Sequence, residues 1–168
     1  LAAKGTTVYP QQLGVACSWN PELATVNTEQ TAEVMRSVGA TLALSPMVDL
    51  IRTAYWPRIE ESYGEDGYLS PAMGVASVSY THGLKDGVAA CTKHFWGYGG
   101  GSSLTWKEIF EEVLMLHEAM IRLADCKVLM ISYGRFRSEQ AVSSDTLLNK
   151  ILRGYLEFDG LVVGDYGA

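Results

Sequence analysis

Side chains able to do chemistry stand at four places in this chain, each just past a short apolar run. Asp49 closes the run 40–48, Lys93 and His94 follow 87–92, Tyr133 follows 127–132, and Asp165 follows 160–163. A carboxylate at such a point is held rigidly and partly desolvated, while nearby donors keep it ionised. Lys93 beside His94 offers a different chemistry, a Schiff-base amine whose reactivity is set by burial and by its neighbour. Between the first two runs, residues 49–69 place Arg52, Arg58, Glu60, Glu61, Glu65 and Asp66 among Tyr55, Trp56, Tyr63 and Tyr68. That density of charges and rings in one long loop suits a ligand site better than a solvated tip.

Positioning these groups requires strands and helices in alternation. Each apolar run is short and unbroken, the pattern of a strand buried on both faces. Asn20 as cap, Pro21 at the first helical position and Glu22 in the first turn predict a helix that ends at Gly39. A weaker helix is expected over 71–84. Thr105 and Glu108 form a capping box ahead of a stripe through Ile109, Phe110, Val113, Leu116, Met120 and Ile121, and a further helix is read over 145–155. Four strands separated by helices predict an α/β fold with a parallel sheet. In a barrel the C-terminal strand ends converge on one mouth, so Asp49, Lys93, His94, Tyr133 and Asp165 would share a ligand. A closed barrel takes about 200–250 residues. The expectation is therefore a partial (β/α)8 barrel of the TIM type, a fragment of one domain spanning 1–168, completed at both ends by polypeptide outside this sequence.

Composition narrows the partners. The 168 residues are 48% hydrophobic and 19% charged, enough apolar mass for a core. Thirteen basic against nineteen acidic residues leave a net charge of -6, which gives no basic footprint for nucleic acid and favours a neutral or cationic small ligand. No apolar stretch approaches the roughly 18–20 residues of a membrane span. Leu1 is not an initiator methionine and no leader pattern precedes the body of the chain, so any targeting signal was removed or lies outside this sequence, and the compartment stays open among secreted, periplasmic and cytoplasmic. Cys17, Cys91 and Cys126 are too few and too scattered for a disulfide framework or a zinc site, and the last two read as packing residues. Glu60, Glu61 and Glu65 lack a His or Cys neighbour and read as a solvated or Arg-paired loop; no metal and no cofactor is expected. Gly97–Gly101 lacks the Gly-Lys-Ser/Thr ending of a phosphate loop, and His82 and His117 read as helix-surface or core-edge residues.

Taken together, several strings resemble glycoside hydrolase family 3, the β-glucosidase and β-xylosidase group, in its N-terminal barrel domain. They are Val8-Tyr9-Pro10-Gln11 leading to Ser18-Trp19-Asn20-Pro21, Leu44-Ser45-Pro46-Met47-Val48-Asp49, Trp56-Pro57-Arg58 through Gly64-Glu65-Asp66, Lys93-His94-Phe95, Met130-Ile131-Ser132-Tyr133, and Phe158-Asp159-Gly160 through Asp165-Tyr166. Their order and spacing cover nearly the whole chain. The resemblance implies retaining hydrolysis of a terminal β-linked glucoside or xyloside through a covalent glycosyl-aspartate. Asp165 matches the family nucleophile. Arg58, Lys93 and His94 match residues that grip sugar hydroxyls, Tyr133 matches a phenol beside the nucleophile, and Trp56, Trp96 and Tyr166 are candidates for stacking on a sugar face. The acid/base glutamate lies in a later domain of the family, so no residue here takes that role; with that donor missing and sheet edges exposed, a catalytically silent barrel fragment or sugar-binding remnant is the alternative expectation. Pro57 replaces a glycine before the presumed sugar-binding arginine, Gly164 a serine before the nucleophile, and Gly67 a proline after Glu65-Asp66; Gly134-Arg135-Phe136-Arg137 departs from a smaller, more polar loop.

Overall fold

The computed structural model describes residues 4–83, 88–98 and 104–168. Its frame is a four-stranded, all-parallel sheet of β1 (Leu42–Ala43), β2 (Ala89–Phe95), β3 (Val128–Ile131) and β6 (Leu161–Gly164), in the order β1-β2-β3-β6. Strand order therefore follows chain order, with no reversal of winding. That is the progression of a barrel wall and not of an open doubly wound sheet, which binds ligand where the order turns back. Among the described residues the sheet does not close, and the fold is a partial barrel. A two-stranded antiparallel hairpin, β4 (Arg135–Phe136) with β5 (Glu139–Gln140), sits in the loop after β3.

Helices form where local chemistry dictates. A short α1 (Gln12–Ala16) precedes α2 (Pro21–Ser37), whose cap Asn20 accepts from the Glu22 amide at 3.0 Å; Gly39, at φ 78°, ends the helix in the left-handed region that glycine tolerates. Next comes α3 (Leu69–Gly83). The capping box of Thr105 and Glu108 opens α4 (Trp106–Glu108), which widens to i→i+5 turns over Ile109–Leu114 and returns to α-helix in α5 (Met115–Ala124). A second wide-turned helix covers Thr146–Tyr155. Of the two histidines assigned to helix surfaces, the His82 side chain lies outside the described residues, as do glycines 99–101.

The strands are less uniform than the runs predict. Only β3 is buried along its whole length, whereas β1 and β6 alternate between exposed and half-buried positions. The reason is place in the sheet: β1 and β6 lie at its ends, so burial on both faces is confined to the middle. The run 40–48 yields a strand of just two residues, because Pro46 has no amide to donate to a ladder. Contact with β2 resumes beyond it, where Lys93 donates to the Pro46 carbonyl at 3.0 Å and the Val48 amide to the Lys93 carbonyl at 2.8 Å. Gln12 braces this segment by donating to and accepting from the Met47 main chain at 2.9 Å. β2 in turn runs further than predicted and includes Lys93 and His94. Its pairing with β3 shifts register between Thr92 and Phe95, an irregularity of the kind that re-aims side chains.

Behind the sheet, Phe95, Leu129 and Ile131 pack on Ile109, Val113, Leu114, Leu147, Leu152 and Phe158. Each such side chain contributes about 1.5–3 kcal/mol by leaving water. Gly160 marks the tightest spot: a Cβ there would lie 2.3 Å from the Lys127 carbonyl oxygen and 2.6 Å from the Phe158 ring. Main chain is in the way, and it cannot yield as a flexible side chain would. Gly160→Ala is expected to destabilise the fold by about 1–3 kcal/mol, read as a lower urea midpoint at unchanged slope. An unchanged midpoint would contradict this packing.

Candidate functional site

Three strand ends reach the same level of the sheet. Phe95 pairs with Ile131 and Ile131 with Gly164, so His94 on β2 and Asp165 after β6 stand on either side of β3 at one level of the sheet. The Asp165 amide continues the ladder by donating to the Ile131 carbonyl at 3.1 Å. From the other side, the contacts around Pro46 and Val48 carry Asp49 up against β2. Its carboxylate is buried and accepts three hydrogen bonds: the His94 amide at 3.1 Å and His94 Nδ1 at 2.7 Å, both on Oδ2, and the Tyr98 amide at 2.8 Å on Oδ1. With Nδ1 committed to Asp49, the His94 ring presents Nε2 toward Asp165, 3.5 Å from Oδ2.

Asp165 is 8% exposed. Oδ1 accepts from the Tyr166 amide at 2.7 Å, while Oδ2 is buried with no hydrogen-bond partner among the described residues. A native carboxylate oxygen in that condition is prepared for something other than the fold. Arg58 and Tyr133 both feel the Asp165 charge. Burial, and then the carboxylate of Asp165, raise the Tyr133 phenol above its ordinary pKa; the hydroxyl donates to the Tyr166 carbonyl at 2.6 Å.

Glu61 organises the cations. It accepts Arg58 Nε at 2.6 Å on one oxygen and Arg58 Nη2 at 2.7 Å on the other, which also takes Lys93 Nζ at 3.2 Å. Pro57 therefore leaves Arg58 anchored, since a bidentate fork and not the preceding amide sets its place. The Arg58 bond lowers the Glu61 carboxyl from 4.5 to about 2, and Glu61 raises the Arg58 guanidinium further above its usual range. Lys93 is engaged as a donor in this pair, an arrangement unlike that of a Schiff-base amine.

Aromatic rings fill the space between. Tyr98 lies 4.9 Å from the His94 ring, 5.7 Å from Trp56 and 6.2 Å from Tyr133, with the Arg58 guanidinium 5.6 Å from its centroid. Of the three stacking candidates, Trp56 is buried beside Tyr98 and Tyr166 is largely exposed, but Trp96 is no rim residue. It sits in the core, edge-on to Phe136 at 4.7 Å, with its indole donating to the Arg135 carbonyl at 3.3 Å. The register shift between Thr92 and Phe95 interrupts the regular alternation of the strand: Lys93 and His94 join the cluster, while Phe95 and Trp96 pack into the core. The structure thus brings Arg58, Lys93, His94, Tyr133, Asp165 and Trp56 together. It adds Asp49, Glu61 and Tyr98 in supporting places. Asp49 carried a visible signal as a strand-end carboxylate; Tyr98 had only the weak one of an aromatic just past His94.

Among the described residues no group of three or more His, Cys, Asp or Glu is arranged to hold a metal ion, and no helix is long and apolar enough to cross a membrane. A cleft of about 850 Å3 runs beside β1 and touches the cluster at Glu61, Lys93 and Tyr166. A buried carboxylate and imidazole, beside a guanidinium and an ammonium that share Glu61, can bind and activate a polyhydroxylated molecule.

The family model for the glycosyl hydrolase family 3 N terminal domain matches residues 1–168. The chain belongs to that family. A β-xylosidase of Formosa agariphila is 37% identical over 95% of this chain and 24% of its own length. The solved structure of a β-glucosidase from Erythrobacter marinus superimposes with a TM-score of 0.92 at 32% identity, over 98% of this chain and 24% of that one. A mutant β-glucosidase of Listeria innocua, solved in complex with laminaribiose, gives 0.84 at 29% identity, over 96% and 24%. The chain thus spans about a quarter of the length of these relatives.

The Glu61 contacts predict a pH response. Because the folded carboxyl is depressed to about 2, its contribution to stability is complete above the unfolded value of 4.5 and is lost as pH falls from 4.5 toward 2. Glu61→Gln is expected to flatten stability across that window, measured as urea midpoints at successive pH values. An acid limb identical to the parent's would contradict the coupling to Arg58 and Lys93.

Proposed function

We propose that residues 1–168 form part of a single catalytic barrel domain in a retaining β-glycosidase, which releases terminal β-linked glucose or xylose from oligosaccharides or glycosides. The observation that carries this reading is the Asp165 carboxylate, buried at a strand end with Oδ2 unpaired and facing His94 Nε2. Asp165 attacks the anomeric carbon, the bond to the leaving oxygen breaks, and a glycosyl ester forms that water then hydrolyses with net retention. Arg58, Lys93 and His94 donate to sugar hydroxyls, Tyr133 supports the nucleophile, and Trp56 with Tyr98 walls the sugar. Asp49 fixes the His94 ring so that its donor does not need to reorient during reaction. The acid that protonates the leaving oxygen comes from polypeptide outside these residues, as do the remaining barrel strands and a C-terminal domain.

Names among the relatives support a β-glucoside or β-xyloside as substrate, and the Listeria innocua complex supports a β-linked disaccharide. Incubation of the longest polypeptide carrying this sequence with a 2-deoxy-2-fluoro activated glucoside or xyloside should trap the ester. The peptide containing Asp165 is expected to gain the mass of the fluorosugar, and Asp165→Asn to abolish labelling and lower kcat on the order of 10⁴-fold or more. A folded, complete protein that takes no label, or takes it elsewhere, would refute this assignment.

A further inference from the structure

His117 has no part in the chemistry above, yet it is 1% exposed, against the surface or core-edge position that its place in a helix predicts. It stands in α5 behind the strand ends, with its ring edge-on to Phe95 at 5.1 Å. Burial pushes the imidazole down to about 4, so the ring is neutral. One nitrogen bonds the main chain of His94, while Nδ1 is buried with no hydrogen-bond partner among the described residues. A neutral ring that donates through one nitrogen has a lone pair on the other, so Nδ1 calls for a donor.

Beside it lies a small cavity of about 20 Å3, lined by His117, Asp49, Tyr98, Arg52, Glu112 and apolar neighbours including Val113. A water site needs roughly 10–15 Å3 and two to four polar partners. The polar atoms of this wall are largely committed: Arg52 pairs with Glu112, and the Tyr98 amide donates to Asp49. A water molecule supplies the missing donor without displacing either pair.

We propose that this cavity binds one water molecule, which donates to His117 Nδ1 and links the buried ring to the acidic wall of Asp49 and Glu112, making His117 a positioning residue for His94. The two faces of residue 94 are then held separately, its ring and amide by Asp49 and its main chain by the water-braced His117. The water site is independent of the hydrolase reading; its consequence for sugar binding rests on that reading.

High-resolution crystallography of the longest polypeptide carrying this sequence, paired with long-range ¹H–¹⁵N spectra of the histidine rings, tests both parts. An ordered water within about 3.2 Å of Nδ1 is expected, with Nδ1 unprotonated across about pH 5–8. His117→Phe keeps the ring shape and should expel the water and shift the His94 ring signals. Val113→Ile, which extends a methyl-bearing wall into the cavity, should do the same with His117 present. A dry cavity in the parent, or an Nδ1 that is protonated or bonded to a protein donor, overturns the site. His94 signals unmoved in a folded variant that has lost the water overturn the positioning role. Should neither variant fold, the parent spectra and density still decide the site. A parent that holds the water but cleaves no glycoside sinks the hydrolase reading alone.

Discussion

A buried carboxylate accepting three hydrogen bonds holds the site of this protein together. Asp49 ties the β1–α3 loop to the end of β2 through the amide and ring of His94, and it ties the loop after β2 to both through the Tyr98 amide. Such charge-assisted bonds are worth more than neutral ones, and they are worth most where water is kept out. Remove the acceptor and two main-chain donors and an imidazole lose their partner in an apolar surrounding. The aim of His94 Nε2 at Asp165 presupposes this junction.

A second constraint is electrostatic. Glu61 stands between Arg58 and Lys93 and limits the repulsion between two cations gathered on one side of the cluster. It also leaves them with donors to spare, since a guanidinium has five and an ammonium three. The cluster is thus balanced before any ligand arrives: Asp165 faces donors it does not fully engage, and the cations face an acid that does not exhaust them.

Much of this is legible in the sequence. Apolar runs closing on polar residues marked the strand ends, and the caps at Asn20 and Thr105 marked helix starts, because those signals are local and hydrogen-bond chemistry enforces them. The expected gathering of Asp49, Lys93, His94, Tyr133 and Asp165 followed from parallel topology, whereas Arg58 entered through the family resemblance. What escaped was whatever depends on neighbours distant in sequence. The brevity of β1 and the exposure of β6 come from their place at the ends of the sheet, which hydropathy does not record. Trp96 looked like a ligand-facing ring because its string does not tell which way the strand turns at its end. Tyr98 and Glu61 acquire meaning only through groups brought in from other loops.

The agreement between chain order and spatial order has a consequence for how the molecule is made. During synthesis each parallel strand leaves the ribosome after the neighbour on which it will lie, so the wall grows by accretion at one advancing margin. Asp165, which follows β6, arrives on a platform where His94 and Asp49 already have their docking partners encoded upstream. Of the carboxylates in this cluster, Asp165 is thereby the last to be enclosed.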